Sequence, residues 1–274
     1  MKCLNLCSHM CTIVLQYEPD RHPEVGVKSA QRVLEILQMY AGSRRPATLT
    51  EIAKALHLPK SSCLALLQTL EENGYLYQSG EGGRYYPTGR WLSNAQAIAS
   101  HDPVVMHIRP TLESLRERTD ETLLLAKRFE TNALYLDVVE SKQILRYTAE
   151  IGQMKSLHCS ASGQALLGGM ESEDRNAVID RLKLNRVSAS TITTRSALRR
   201  KVETGVECGW YFVVGEYHAD TAAVAVPLQL NGDPYAVVLA APRHRLENSI
   251  ERAGKLLLAA CRPLSDAKST AHRR

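Results

Sequence analysis

Two stretches in the first third of the chain carry apolar side chains at the spacing of one helix face. Residues 52–56 place them at i and i+4, and residues 60–72 continue the pattern over a longer stretch, which predicts two amphipathic helices. Thr48 stands three positions before a glutamate, which is the spacing of an N-terminal capping box. Pro59 suits the first position of the second helix, and Gly74 suits its C-terminal end.

The residues after the second helix predict a β-hairpin. Residues 75–78 and 84–86 are rich in tyrosine and flank the glycine-rich turn 79–83. Helix, turn, helix and hairpin, in this order, form a winged helix-turn-helix, which reads DNA through its second helix. Two short helices and a hairpin also occur in small α/β modules with other functions, but the order of the predicted elements favours DNA binding.

The rest of the chain predicts a separate α+β domain. Residues 27–40 form a helix ahead of the DNA-binding module, with Ala30, Val33, Leu34, Leu37 and Tyr40 as its apolar stripe. The later elements are helices at 88–99, 104–118, 160–170, 172–184 (with Ser172 as its N-cap), 195–208 and 246–265, and strands at 121–126, 133–139, 143–148, 210–214, 221–230 and 235–241. Hairpins bounded by helices predict an antiparallel sheet flanked by helices.

These patterns give the predicted domain organisation. It consists of a disordered N-terminal extension at 1–24, a winged helix-turn-helix domain at 25–87, a linker helix at 88–102, a second domain at 103–268 and a tail at 269–274.

Composition narrows the class of protein. The 274 residues suffice for two domains, 44% of them are hydrophobic, and no window is long and apolar enough to cross a bilayer. The net charge of +5 is compatible with DNA binding but also with many enzymes. The seven scattered cysteines predict a reduced, cytoplasmic protein. Cys3, Cys7 and Cys11 leave a metal or redox site open, although no further ligand completes a known spacing. We expect no cofactor, no metal and no membrane partner.

Several motifs resemble one family of bacterial transcription regulators. Residues 27–92 resemble the DNA-binding domain of IclR-type regulators, through the segments 30–37, 49–53, 58–62, 66–75 and 83–85. The second half, to about Ser265, resembles the GAF-like effector-binding domain of the same family, through 157–167, 209–210, 215–216 and 224–227. The resemblance implies a ligand-responsive regulator that binds a pseudo-palindromic operator in double-stranded DNA as a homodimer or homotetramer.

Candidate DNA contacts lie on the second helix and around it. Lys60, Ser61 and Ser62 form its exposed first turn, which can contact phosphates or base edges, although the serines could instead only cap the helix. The basic loop and the wing add charges that either contact phosphate or are simply solvated. The full set is Arg44, Arg45, Thr48, Lys60, Ser61, Ser62, Leu64, Ala65, Gln68 and Arg84.

Two of these positions depart from the family. Ala65 stands where relatives usually carry an arginine, and Leu64 where they often carry a histidine or an aromatic residue. A lost arginine removes roughly 1–3 kcal/mol of base discrimination. Gln68 can still hydrogen-bond adenine, and Leu64 or Ala65 can still contact thymine methyl groups.

The resemblance also places a pocket for a small organic effector. Its residues are Ile144, Tyr147, Lys155, Ser160, Ala161, Ser162, Gly163, Val213, Ala223, Val238 and Ala240. Relatives that bind small keto-acids carry an aspartate near Val213, a cysteine near Ala223 and hydroxyl groups on the last strand. Because this chain lacks them, we expect a more apolar pocket and an amphipathic or aromatic acid as ligand. Lys155 either pairs with the ligand carboxylate or is solvated.

Two other functions are considered. His158 beside Cys159 suggests a base and a nucleophile, but neighbours in sequence rarely meet in catalytic geometry, and no GxSxG, P-loop, GxGxxG or HExxH motif is present. An enzyme is therefore not expected. The second alternative is a constitutive architectural DNA-binding protein whose second domain serves only oligomerisation. This alternative leaves the large second domain unexplained.

Overall fold

The computed structural model of the protein describes residues 27–80 and 82–266. The chain divides between Ser100 and His101 into two compact units. The predictions for residues 1–24, including those for Cys3, Cys7 and Cys11, and for residues 269–274 lie outside the described residues.

The first unit has the predicted order of helices and hairpin. Its elements are α1 (Lys28–Ser43), β1 (Ala47–Thr48), α2 (Leu49–Ala55), α3 (Lys60–Glu72), β2 (Leu76–Ser79), β3 (Arg84–Pro87) and α4 (Arg90–Ala99). The strands form an antiparallel sheet in the order β1-β3-β2. The capping box at Thr48 is present, with both reciprocal hydrogen bonds to Glu51. The winged helix-turn-helix prediction is confirmed.

The buried face of α1 differs from the predicted stripe. Ile36 and Tyr40 are buried, whereas Leu34 is 60% exposed and Ala30 is exposed. Apolar residues occur on most sides of this helix, so their spacing alone does not select one face. Packing against the wing selects it, because the Tyr40 hydroxyl donates a hydrogen bond to the Tyr85 carbonyl at 2.8 Å.

The second unit is built on one antiparallel sheet. Its helices are α5 (Pro103–Thr119), α6 (Ala161–Gly168), α7 (Ser172–Arg181), α8 (Arg195–Cys208), α9 (Arg243–Leu246) and α10 (Ile250–Asp266). Its strands are β4 (Thr122–Phe129), β5 (Asn132–Val139), β6 (Met154–Ser156), β7 (Tyr211–Val214), β8 (Thr221–Leu230) and β9 (Asp233–Pro242), in the sheet order β6-β5-β4-β9-β8-β7.

Helices cover both faces of this sheet. On the α6 face, Val238 and Ala240 of β9 pack in one core with residues of α6, α7 and α8. On the α10 face, Leu239 packs with residues of α5 and α10. Successive residues of one strand thus serve two cores. This arrangement confirms the α+β class. Among the described helices, none has the length and apolarity needed to cross a membrane.

Three local predictions in this unit were wrong. Residues 143–148 do not form a strand, and β6 takes the edge position instead. Their backbone is held by side chains, since Thr122 Oγ1 donates to the Tyr147 carbonyl at 2.6 Å. Ser172 is the first helical residue rather than the N-cap of α7. Finally, the single predicted C-terminal helix is divided into α9 and α10.

Candidate DNA-binding surface and effector pocket

Helix α3 separates its core face from an exposed face. Cys63, Leu67 and Leu70 are buried. The outward residues predicted to contact DNA are exposed, apart from a half-buried Leu64: Lys60, Ser61, Ser62, Ala65 and Gln68. Pro59 is the N-cap and no side chain caps this end, so Ser61 and Ser62 do not have the capping role considered above. The first-turn amides therefore remain suited to a phosphate.

The charges around the wing are partly compensated. Arg84 Nη1 lies 3.2 Å from Glu51 Oε2, and Arg45 Nη1 lies 3.5 Å from Glu51 Oε1. Hydrogen bonds from Thr48 hold the pKa of the Glu51 carboxyl below its usual value, which keeps this partner ionised. Arg44 is exposed and ends α1 in the left-handed conformation, with φ at 51°. Thr48, Arg45 and Arg84 thus already have structural partners.

The predicted pocket residues of three strands form one row across the sheet. Val213 of β7 pairs with Ala223 of β8, which pairs with Ala240 of β9. The row lies beside a cavity of about 30 Å³ on the α6 face, whose walls are Tyr135, Tyr147, Lys155, Ser160, Ala161, Ser162, Val213, Tyr217, Thr221, Ala222, Ala223, Val238 and Ala240.

Two predicted pocket residues lie outside this cavity. Ile144 is completely exposed, because residues 143–148 are not part of the sheet. Gly163 allows close packing instead, since a Cβ atom there would lie 2.3 Å from Leu157 Cα. Its amide donates to the Ser160 hydroxyl oxygen at 3.1 Å, so Ser160 caps α6.

Three tyrosines line the cavity, and sequence reasoning found only Tyr147. Tyr135 forms side-chain hydrogen bonds with Tyr147 and Ser162. Burial raises the pKa of Tyr135, Tyr147 and Tyr217 above the usual value, so all three phenols are protonated hydrogen-bond donors at neutral pH. The alternating pattern of β5 could have indicated Tyr135. Tyr217 lies in a loop, where no periodic signal exists.

Lys155 is buried, contrary to the solvated alternative. It is 6% exposed, and its Nζ lies 3.9 Å from the centroid of the Tyr217 ring. Burial lowers the pKa of Lys155 to about 8. Within the described parts of the chain, no carboxylate forms an ion pair with it. A buried ammonium without a carboxylate partner favours an anionic ligand.

The loop that carries Tyr217 is anchored by a buried carboxylate. Glu216 is 5% exposed, forms an ion pair with Lys201 of α8, and accepts a hydrogen bond from Gln164 Nε2 of α6 at 3.1 Å. Thr191 Oγ1 donates to the Glu216 carbonyl at 2.7 Å. These contacts fix the loop against two helices.

The neighbouring His158 and Cys159 are not arranged as a catalytic pair. His158 Nε2 lies 3.0 Å from the Asn185 carbonyl, and burial lowers its pKa. Burial raises the pKa of the Cys159 thiol to about 12, so the thiolate is scarce at neutral pH. No group of metal-binding side chains occurs among the described residues.

Comparison with known proteins identifies the family. The profile of the bacterial transcriptional regulator IclR C-terminal domain matches residues 96–266, and that of the IclR helix-turn-helix domain matches residues 29–80. The chain belongs to the IclR family. It is therefore a DNA-binding transcription regulator with a ligand-binding C-terminal domain.

Individual relatives agree with this assignment. The HTH-type transcriptional regulator KdgR of Escherichia coli is 28% identical over 228 residues, which cover 81% of this chain and 82% of the relative. The HTH-type transcriptional repressor AllR of Klebsiella pneumoniae is 28% identical over 235 residues, covering 84% and 85%. Both are regulators rather than enzymes.

Two solved structures share the fold of this IclR-family chain. The IclR of Thermotoga maritima superposes with a TM-score of 0.70 at 21% identity, covering 88% of this chain and 98% of that chain. An IclR homolog from Microbacterium hydrocarbonoxydans, complexed with 4-hydroxybenzoate, superposes with a TM-score of 0.72 at 23% identity, covering 89% and 100%. At these identities the likeness concerns the fold alone.

Proposed function

We propose that this IclR-family regulator binds a small aromatic acid in the α6-face cavity and a pseudo-palindromic operator through α3. The observation that carries the effector proposal is Lys155, whose buried ammonium has an aromatic neighbour but no carboxylate partner in the described chain. A ligand carboxylate would supply the missing charge and offset the cost of burying the ammonium.

The walls of the cavity suit the two ends of such a ligand. Lys155 and the Tyr147 phenol offer donors on one side, whereas the Tyr135 hydroxyl already donates to Tyr147. Val213 and Ala223 present small apolar surfaces on another side, beside which a ring can lie. The Microbacterium homolog was crystallised with 4-hydroxybenzoate, an acid of this chemical class.

An aromatic ligand needs more room than the cavity has. About 30 Å³ is far below the roughly 300–1,000 Å³ of pockets that hold drug-sized ligands. Because hydrogen bonds anchor the backbone next to Tyr217 and at Tyr147, binding requires one of these two side chains to rotate outward. Displacing Tyr217 would exchange its contact with Lys155 for one with the ligand carboxylate.

Titration calorimetry with a panel of aromatic acids and a panel of small keto-acids tests the proposed effector class. We expect 4-hydroxybenzoate and benzoate to bind more tightly than glyoxylate and pyruvate. Lys155→Met and Tyr147→Ala should each weaken the aromatic acids about tenfold or more, because a charge-assisted hydrogen bond or a stacking surface is lost. Ile144→Ala is the matched control and should leave affinity unchanged. A preference for the keto-acids contradicts the proposal.

The operator proposal rests on the exposed face of α3. Two such helices in a symmetric dimer or tetramer would contact half-sites about one helical turn, or a multiple of it, apart. DNase footprinting on the promoters of its own and adjacent genes should show a symmetric protected site. Protection of one unsymmetrical site at every protein concentration would count against this model.

A further inference from the structure

A second and larger cavity lies on the α10 face of the sheet. It measures about 220 Å³ and lies between the end of α5, strand β9 and helices α9 and α10. Leu239 of β9 contributes to its wall, whereas the neighbouring Val238 and Ala240 line the α6-face cavity. The sheet therefore separates the two cavities.

Three arginines line this second cavity, and only one has a carboxylate partner. Arg245 pairs with the buried Glu121 through two hydrogen bonds, at 2.6 and 2.8 Å. Arg118 and Arg252 form no ion pair with any residue in the described ranges. Both guanidinium groups are exposed, so the cavity offers two hydrated positive charges that a bound anion would contact.

Arg252 lies at the N-terminal end of α10, beside the mouth of the cavity. It shares the first turn of α10 with Glu251, which pairs with Lys255 one turn later, so Glu251 is already engaged. Ser249, just before this helix, also lines the cavity. A carboxylate at this point would meet both the guanidinium group and the positive end of the helix.

The remaining wall determines the chemical class of the anion. Leu239, Leu246, Ala253 and Leu256 line the cavity with hydrocarbon. A fully hydrated anion such as phosphate gains nothing from this surface, whereas a short alkyl chain does. The volume is below the roughly 300–1,000 Å³ of pockets for drug-sized ligands, so the ligand should be small.

We propose that the α10-face cavity is a second binding site, specific for a short-chain aliphatic carboxylate. Arg118 and Arg252 bind the carboxylate group, and the leucines contact the alkyl chain. The Arg245–Glu121 pair forms a fixed polar wall and does not supply a free charge.

Hydrogen bonds link the wall of this site to the segment that carries Tyr147, which lines the α6-face cavity. Arg245 Nη2 also donates to the Leu145 carbonyl at 2.9 Å, two residues before Tyr147. Thr122, next to Glu121, donates to the Tyr147 carbonyl. A ligand against Arg245 therefore lies close to the segment that carries Tyr147. On the basis of the proposed effector function, occupation of one cavity should alter affinity at the other.

Titration calorimetry of the full chain with hexanoate, acetate and inorganic phosphate tests the site. We expect hexanoate to bind more tightly than acetate or phosphate. Arg252→Ala and Arg118→Ala should each weaken hexanoate about two- to fivefold, as expected for the loss of a solvent-exposed charge pair. Arg262→Ala removes an exposed arginine from the same helix outside the cavity and should have no effect. Melting temperatures verify that each variant is folded.

Three outcomes would overturn the proposal. Unchanged hexanoate affinity in both arginine variants would show that neither Arg118 nor Arg252 contacts the ligand. A loss in Lys155→Met, with none in Arg252→Ala, places hexanoate in the α6-face cavity. A changed oligomeric state of Arg252→Ala in light scattering, with unchanged hexanoate affinity, makes the cavity part of a subunit interface. Failure of 4-hydroxybenzoate to bind would concern only the proposed effector, since hexanoate binding is measured independently.

Discussion

The two units of this protein place their candidate functional side chains in opposite environments. In the first unit, Lys60, Ser61 and Gln68 are exposed on α3. In the second, Lys155 and Glu216 are buried in or beside a cavity. DNA presents a large charged surface, so side chains that bind it can stay in water until contact. A small ligand must be enclosed, so the groups that bind it lose their hydration when the protein folds.

The two carboxylates that anchor these regions show the same difference. Glu51 is half-exposed, and its ion pairs with Arg45 and Arg84 are accessible to water. Glu216 is buried and holds Lys201 and Gln164. Solvent screens the first set of interactions but not the second. Substitutions in the first unit should therefore affect mainly DNA binding, and those in the second should also affect stability.

The largest expected effect is that of Glu216→Ala. Removing the carboxylate leaves the partly buried Lys201 without its partner, and breaking a buried pair typically costs about 3–5 kcal/mol. We expect a loss of this order in the free energy of unfolding of the second unit. Urea unfolding, followed by Trp210 fluorescence in a Trp91→Phe background, measures it. Glu203→Ala, an exposed position on the same helix as Lys201, should change stability by no more than about 0.5 kcal/mol. If the two variants lose equal stability, the buried Glu216–Lys201 pair contributes no more than an exposed side chain, and the contrast between the two units is refuted.

Lys155 should make stability depend on pH. Its pKa is about 8 in the folded chain, below the usual 10.5, so between these values the unfolded chain binds more protons. Stability must therefore rise with pH across this window, and the penalty of burying the ammonium is fully present below pH 8. The shift corresponds to about 3 kcal/mol, as an order of magnitude.

Urea unfolding of Lys155→Met and the parent chain at several pH values measures this penalty. The variant should be more stable than the parent at pH 7, and the difference should shrink as pH rises from 8 to 10.5. A constant difference over that range would mean that Lys155 is hydrated in the folded protein.

The sequence predicted the first unit more completely than the second because its signals are local. The capping box at Thr48, the glycine at the end of α3 and the glycine-rich turn each depend on residues a few positions apart. The exposed face of α3 then follows from helical periodicity. The face of α1 was misjudged, because its packing partner Tyr85 is distant in sequence, and Pro59 is the N-cap of α3 rather than its first residue.

The second unit depends on contacts that the sequence does not display. Residues 143–148 have a strand-like composition, but side chains from Thr122 and Arg245 hold their backbone in an irregular path. Lys155 is buried although it lies on the edge strand β6, which is only three residues long and too short to show a periodic pattern. The resemblance to a family found the apolar row of Val213, Ala223 and Ala240. It missed Tyr217, whose position depends on the distant anchor described above.

A smaller effect is expected at the exposed face of α3. Lys60→Ala combined with Ser61→Ala should weaken operator binding roughly tenfold without a measurable change in stability, because neither side chain is buried. Loss of one phosphate contact should also reduce the slope of log affinity against log salt by about 1. Fluorescence anisotropy at several salt concentrations measures both quantities. Lys54→Ala, an exposed lysine on α2, is the control. An unchanged salt slope would mean that another face of the helix meets the DNA.

The smallest effect should be that of Arg84→Ala on the wing. Its guanidinium lies 3.2 Å from Glu51 Oε2 and 3.4 Å from the Pro46 carbonyl, so its charge is already partly neutralised before DNA arrives. We expect less than about a threefold loss of operator affinity, measured by the same anisotropy titrations. In a Glu51→Gln background, where the capping geometry can persist without the negative charge, Arg84→Ala should cost more, because the arginine is then free to pair with phosphate. If Arg84→Ala in the parent chain costs as much as the Lys60 variant, the carboxylate does not restrain the wing, and exposed charge in this unit acts on DNA regardless of its neighbours.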